Sequence, residues 1–393
     1  MEDLRVGVIG LGLRGGLGAL ADRPGKGSRV VALCDVDPAA LARAAGWYRG
    51  SAAGVARYTD HRHLLASDVD AVVISTPDDT HEELAVAALE AGKATYVEKP
   101  LAISVEGCDR ILATAARTGS RLYVGHNMRH MPVVQVMRDC VADGLVGEVQ
   151  AVWCRHFVGH GGDFYFKDWH ADRRRTTGLL LQKGAHDLDV IHWLAGAPTR
   201  RVTAMGRLAV YGDIEDRQAA EGMRPASWFD PARNWPPTAQ TGLNPVVDVE
   251  DLSMVLLELG NGVLASYQQC HFTPDYWRNY TVIGSAGRLE NFGDIGHGTV
   301  VRLWKRRADY DEIGDKVWRI PDRGGGHGGA DESIMAEFLE FARNGGRTLT
   351  SPVAARDAVA AAVAATCSLR SGGQPVEVAP LDAELAAYFA GGR

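Results

Sequence analysis

The chain has 393 residues, 46% of them apolar, with 42 basic against 49 acidic side chains and a formal net charge of -7. That length exceeds one ordinary core and makes two domains the expectation, while the acidic balance excludes the electrostatic footprint of a nucleic-acid binder. Six cysteines without a CxxC pair argue against a structural zinc site and a disulfide framework, and no apolar run reaches membrane-spanning length, so a cytoplasmic protein without membrane or metal is expected.

In chain order, an apolar strand at Val6-Gly7-Val8-Ile9 runs into Gly10-Leu11-Gly12-Leu13-Arg14-Gly15 and then a predicted helix. Gly10 permits a tight turn, Gly12 lets the backbone approach a pyrophosphate, and Gly15 lets the helix pack on the strand. A second strand, Arg29 to Cys34, ends in Asp35, twenty residues past Gly15. A carboxylate at that distance accepts from a ribose diol, so the segment reads as a dinucleotide fingerprint. Asp35 repels a ribose phosphate and favours NAD. Arg14, whose guanidinium can pair with such a phosphate, keeps NADP open as the alternative.

The alternation continues with strands at Ala71-Val72-Val73-Ile74-Ser75, Ala94-Thr95-Tyr96-Val97-Glu98 and Leu122-Tyr123-Val124-Gly125. Helices over about Thr80–Ala91 and Ser104–Thr118 separate them. Short continuous apolar strands joined by helices predict an α/β, doubly wound parallel sheet. Ligands of such sheets sit at the carboxyl ends of the strands, which directs attention to Ser75-Thr76-Pro77, Glu98-Lys99-Pro100 and Gly125-His126-Asn127. Near residue 146 the pattern changes to strands without regular helices between them, at 147–157, 201–208, 252–259, 262–270 and 280–284. A second α/β domain with a mostly antiparallel sheet is predicted over 127–393, after a nucleotide domain over 1–126. Residues 212–247, polar and proline-rich, read as a long loop or lid. Ser351-Pro352 opens an alanine-rich helix.

Lys99 follows a strand end, where burial beside a cationic ring would lower its pKa toward useful acid–base chemistry; the structural alternative is a solvated loop lysine. Lys183-Gly184-Ala185-His186-Asp187-Leu188-Asp189 opens an apolar helix stopped by Gly196, with His186, Asp189 and Trp193 on one face. His186 there can exchange a proton with a substrate hydroxyl, or simply pair with Asp189 in the core. A metal on His186 and Asp187 lacks a third ligand in register. Arg173-Arg174-Arg175 could hold an anionic substituent or form a solvated turn, Arg174 being the candidate contact. His271 ends a strand, His327 lies among glycines, and Trp169-His170 could face a cofactor or pack.

These residues resemble one family. Gly10 to Gly15, Thr76-Pro77, Glu98-Lys99-Pro100, Asn127, His186, Gly284 to Glu290 and the alanine-rich helix are similar to the glucose–fructose oxidoreductase, inositol dehydrogenase and MocA family (Gfo/Idh/MocA), over nearly the whole chain. The resemblance implies a Rossmann domain joined to a domain with a large open sheet that makes homodimer or homotetramer contacts. It implies that Lys99 and His186 are catalytic, and that Thr76, Pro77, His81, Glu98, Asn127 and Trp169 line the nicotinamide side, with Leu13 and Arg14 beside the cofactor. One departure stands out. The family pattern places an aspartate four residues before the histidine, and this chain has Gln182, followed by Lys183, in a Lys-x-x-His branch. The expected substrate is a small carbohydrate held by Lys99, Lys183 and His186, with Arg174, His271 and His327 near it. The leading expectation is NAD-dependent hydride transfer to or from a hydroxyl of a sugar, sugar derivative or polyol. The alternative is an NAD-dependent glycoside hydrolase working by transient oxidation, elimination, hydration and re-reduction, with an anionic sugar such as sulfoquinovose as one substrate. A non-catalytic dinucleotide sensor is the third reading.

Overall fold

The computed structural model describes residues 2–44, 46–48, 54–219, 230 and 233–391. Its first sheet is parallel and six-stranded, with strands β1 (Leu4–Ile9), β2 (Ser28–Cys34), β3 (Ala56–Tyr58), β4 (Ala71–Ile74), β5 (Ala94–Val97) and β6 (Leu122–Val124) in the order β3-β2-β1-β4-β5-β6. All residues of β4 and β5 are buried, which is why the sequence shows continuous apolar runs and not alternation. Strand order reverses between β1 and β4, so the crevice beyond their carboxyl ends is where a ligand fits. Gly10 leaves β1 there, and Ser75 and Thr76 leave β4.

The helix after the fingerprint differs from expectation. Gly15–Ala21 is a 3-10 helix. Three of its seven residues are glycine, the weakest α-former after proline, and Gly18 sits against the sheet so closely that a Cβ would lie 2.7 Å from Val8 Cγ2. The helices His81–Glu90 and Val105–Thr118 form as predicted, the second with Ser104 Oγ accepting from Gly107 N at 3.0 Å as its N-cap.

The second sheet has nine strands: β7 (Val149–Phe157), β8 (Thr199–Arg207), β9 (Leu252–Leu259), β10 (Leu264–Cys270), β11 (Trp277–Gly284), β12 (Gly287–Phe292), β13 (Val300–Trp304), β14 (Lys316–Arg319) and β15 (Val376–Glu377). Their order is β14-β13-β12-β11-β7-β10-β9-β8-β15. Every pairing is antiparallel except that of β7 with β10. The helices Gly184–Ala195 and Pro352–Arg370 cover one face, burying Val152, Val255, Leu257 and Ala265. Pro352–Arg370 is the one described helix long and apolar enough to cross a membrane, and 67% of it is buried inside the protein. Ser351 and Pro352 start it as predicted.

A further helix, Ala330–Asn344, leaves the second sheet and returns to the first. Phe338 packs there with ring centroids 5.5 Å from Tyr96 and 5.7 Å from Tyr123. The nucleotide-side core is thus closed by a segment more than 200 residues downstream of its last strand. Within the predicted 212–247 loop, residues 220–229, 231 and 232 lie outside the described residues. Its described flanks are anchored by Tyr211 and Leu243, buried with Phe166 in a small satellite core.

Candidate functional site

A cleft of about 1470 Å³ lies beyond the carboxyl ends of the first sheet, walled on its other side by the second domain. Its nucleotide end is built by the fingerprint. Gly10 has a φ of +92°, and a Cβ on it would lie 2.7 Å from Thr76 Cγ2 and 2.8 Å from the Ser75 backbone, so only glycine holds this turn. Gly12 faces open space, with no heavy atom within 4 Å of an added Cβ. Its bare backbone leaves room for a pyrophosphate to approach. Asp35 also borders the cleft, its carboxylate fixed by the Leu11 amide at 2.7 Å and the Asp37 amide at 2.9 Å. These residues fit a dinucleotide with an unmodified ribose.

Arg14 departs from the sequence reading. Its guanidinium turns inward, donating from Nε to Glu98 at 2.8 Å and from both terminal nitrogens to Asp331 at 2.8 and 3.1 Å. Burial penalises its charge, but Glu98 and Asp331 more than offset this and hold the proton on. A guanidinium so engaged is not free for a ribose phosphate. Asp331 also accepts from Asn127 Nδ2 at 2.7 Å and lies 3.3 Å from His327 Nδ1. His327 borders the cleft in a left-handed conformation, φ 51°. Thr76, Pro77, Leu13, Glu98 and Trp169 border it too, the last stacked on His170 at 3.7 Å between centroids.

Two predicted contacts fall elsewhere. His81 is fully buried outside the cleft wall, with Nδ1 2.7 Å from the Pro100 carbonyl and Nε2 3.0 Å from that of Thr76. It ties together the two loops that carry Thr76 and Lys99, acting as a strut and not as a cofactor contact. His271 is likewise fully buried and absent from the cleft wall, its ring 5.2 Å from Tyr165. Arg174 borders the cleft, but its side chain is 74% exposed and held by both oxygens of its neighbour Asp172.

At the inner end, Lys99, Gln182, Lys183 and His186 converge from two domains. Lys99 Nζ donates to the Gln182 carbonyl at 2.8 Å. Burial lowers the Lys99 pKa, partly opposed by Tyr165 and Asp78. Lys183 precedes the helix Gly184–Ala195, its ammonium 5.9 Å from the centre of the Tyr165 ring. Burial, helped by Arg278, pushes its pKa down to about 7. His186 is held neutral by burial and by both lysines, and its Nδ1 has no hydrogen-bond partner among the described residues.

The expected Asp189–His186 pairing does not form. Asp189 accepts from Arg129 at 2.6 and 2.8 Å and lies 3.2 Å from His126 Nδ1. Asp187 points into the sheet, where His156 at 3.0 Å, Arg278 at 3.1 Å, Tyr267 at 3.0 Å and the Tyr280 hydroxyl surround it. It is therefore not available to a metal beside His186, and no cluster of three metal-ligating side chains exists among the described residues. Sequence reading missed Asp78 and Asp331. Asp78 borders the cleft, 3% exposed, with Oδ2 accepting no hydrogen bond. Gln182 Oε1 and Asn127 Oδ1 are similarly unpartnered. Buried polar atoms left open on a cavity wall are the places a ligand's own polar groups complete.

Family models agree with this construction. One described as "Oxidoreductase family, NAD-binding Rossmann fold" matches residues 4–126, and one described as "Oxidoreductase family, C-terminal alpha/beta domain" matches 138–378. The chain is 23% identical over 313 residues to the putative oxidoreductase YteT of Bacillus subtilis strain 168, covering 70% of this chain and 73% of that one. It is 32% identical over 215 residues to an inositol 2-dehydrogenase of Rhizobium meliloti strain 1021, covering 54% of this chain and 61% of that enzyme. Among solved structures, a levoglucosan dehydrogenase in complex with NADH and levoglucosan superposes with a TM-score of 0.76 at 20% identity, over 96% of this chain and all of the other. The fold is shared. The NAD-binding match, the fingerprint and the open space at Gly12 make NAD the cofactor.

Proposed function

The chain belongs to the Gfo/Idh/MocA oxidoreductase family, and on that footing we propose that it is an NAD-dependent dehydrogenase of a sugar, sugar derivative or polyol. The supporting observation is the convergence of Lys99, Lys183 and His186, each with its pKa lowered by burial, on the cleft that the glycine fingerprint also borders. When bound, NAD supplies the hydride acceptor. Lys99 Nζ takes the proton of the substrate hydroxyl. His186 Nδ1 and Lys183 Nζ hold that oxygen and its neighbour, which fixes the carbon whose hydride departs. Residues 1–126 would hold the cofactor and 127–393 the substrate. NAD is preferred over NADP because Asp35 stands at the ribose seat and Arg14 is bound to Glu98 and Asp331. Six free cysteines fit the proposed cytoplasmic location.

Gln182 favours a second reading. An amide cannot accept a proton, so the residues around Lys99 and His186 also fit redox-neutral glycoside cleavage, in which a transiently oxidised ring loses its anomeric substituent by elimination. The two readings separate when purified protein is mixed with NAD, free sugars, polyols and aryl glycosides while NADH absorbance and released aglycone are followed together. Stoichiometric NADH without aglycone establishes the dehydrogenase. Aglycone release that requires NAD yet leaves no net NADH establishes the glycosidase.

A further inference from the structure

Lys99 must pass on any proton it takes, and the neighbouring groups narrow where that proton can go. His186 is neutral and lies next to two lysines that oppose its charging. Gln182 offers only an amide. Most carboxylates of the cleft wall are already engaged: Glu98 by Arg14 and the Lys99 amide, Asp35 by two backbone amides, Asp168 by His170 and Asp172 by Arg174. Asp78 differs. It leaves β4 as Lys99 leaves the adjacent strand β5, the two strands pairing up to Ile74 and Val97. Both residues border the cleft, Asp78 is 3% exposed, and its Oδ2 is the described carboxylate oxygen that is buried and accepts no hydrogen bond.

We propose that Asp78 is the proton partner of Lys99: the proton that leaves the substrate hydroxyl for Lys99 Nζ moves on to Asp78 Oδ2. The inference rests on the dehydrogenase reading for its function and deepens that reading. The step balances. The substrate O–H bond breaks and an N–H bond forms on Lys99; a Lys99 N–H then breaks as the Asp78 carboxylate becomes a carboxylic acid, which later releases the proton to solvent. The surroundings suit this exchange. Burial raises the Asp78 pKa well above the usual carboxylate range, Glu98 and Asp79 add to it, and Lys99 and hydrogen bonding from the Gln182 side chain oppose it. Asp79 is itself paired with Arg175 at 3.2 Å. Lys99 faces Tyr165, Asp78, Lys183 and Glu98. A buried acid and a buried amine sharing one proton titrate as a pair.

The test reads Lys99 directly and needs no substrate. Competitive acetylation by acetic anhydride across pH, with peptide mass spectrometry, gives the protonation midpoint of Lys99 in the full chain with NAD bound. Asp78→Asn keeps the shape and removes the charge, and its midpoint should fall by on the order of one pH unit. Asp78→Glu keeps the carboxyl beside the lysine and should hold the midpoint within a few tenths of the natural value, whereas Asp78→Ser, a second neutral variant, should lower it even if Asp78→Asn fails to fold. An unchanged Lys99 midpoint in the folded neutral variants overturns the pairing. Where the substrate panel yields a turnover, Asp78→Asn should lower kcat at least 100-fold with the KM for NAD within twofold and the acidic limb of the pH profile displaced. A raised KM for NAD with an unaltered profile would assign Asp78 to cofactor seating and overturn the proton role. A panel without turnover defeats the dehydrogenase reading and leaves the acetylation result standing.

Discussion

Lys183 shows most sharply what the site costs. An ammonium taken out of water without a carboxylate within ion-pair distance among the described residues is unfavourable, and burial with Arg278 nearby moves its pKa down to about 7 from an ordinary 10.5. Between pH 7 and 10.5 the unfolded chain binds a proton here that the folded chain has lost, so stability rises with pH across that window and the penalty is fully present below pH 7. Lys183→Met should therefore raise the melting temperature at pH 6 and do little at pH 10, as scanning calorimetry at the two values would report. Its pH–activity profile should change as well. The Lys183 charge lowers the proton affinity of Lys99, so neutralising Lys183 makes Lys99 a stronger base. The kcat/KM for oxidation should rise through pH 7 in the natural protein, and that limb should flatten in Lys183→Met. Lys99→Met should reduce kcat by about 10²–10⁴-fold while NAD still quenches tryptophan fluorescence. Asp187 answers to a different demand. Burial alone would raise its pKa, yet Arg278 and His156 hold the carboxylate well below its usual range. Asp187→Ala leaves Arg278 with Asp294 alone, at 3.2 Å, and strips the His156 ring and the Tyr280 hydroxyl of their carboxylate in the sheet core, and it should cost about 3–5 kcal/mol in urea unfolding.

At the scale of elements, local chemistry decided what could be read in advance. Leu252–Leu259 is a strand with the predicted bounds, and its alternating burial explains why. Gly196 stops its helix at φ +83°, and Ser104 and Ser351 cap theirs. The α-helix expected after Gly15 became a 3-10 turn because three glycines carry little helical preference and one must press on Val8. Lys99, Lys183 and His186 were legible, since each follows a strand end or opens a helix. Asp78 and Asp331 were not, because their meaning lies in partners far along the chain or in a missing one. The same holds for His81, whose carbonyl partners make it a strut, and for Asp189, which Arg129 claims from another element. The short helix Gly161–Tyr165 gives a test at this scale. It docks so tightly on the end of β10 that a Cβ on Gly161 would lie 2.2 Å from the His271 carbonyl oxygen. Backbone cannot rotate aside as a side chain can, so Gly161→Ala should cost about 1–3 kcal/mol and displace Tyr165 from the cleft. Gly262→Ala, with φ +85° but nothing within 4 Å, isolates the backbone-strain part of such a change in the same unfolding assay.

For the whole molecule, the two sheets have opposite relations to solvent. The first is covered on both faces, as parallel sheets are. The second buries one face under helices and exposes the other over β8, β9, β10 and β7, closing it only at β11, where Asn279 and Thr281 are buried; register shows how this face is composed. Thr203, Leu256, Ser266, Trp153 and Thr281 form one cross-strand row, and Met205, Met254, Gln268 and Arg155 the next. Leu256 is 65% exposed, Met205 71%, Leu264 60% and Trp153 50%. Large apolar side chains concentrated on one flat, rigid surface mark an interface, and Arg201 with Glu258 at its edge supplies charge that a two-fold partner can meet in reciprocal fashion. The expected solution species is a dimer or tetramer closed through this face, measurable by light scattering coupled to size exclusion. Leu256→Arg places a charge at the centre of the face without touching the buried side of β9. It should yield a smaller species that keeps its circular dichroism, with the monomer fraction growing on dilution. If the variant retains the assembly of the parent, the interface lies elsewhere. The cleft opens beyond the first sheet, and the open face belongs to the second. Assembly and NAD binding should therefore separate in this variant, which would dissociate and still bind the cofactor.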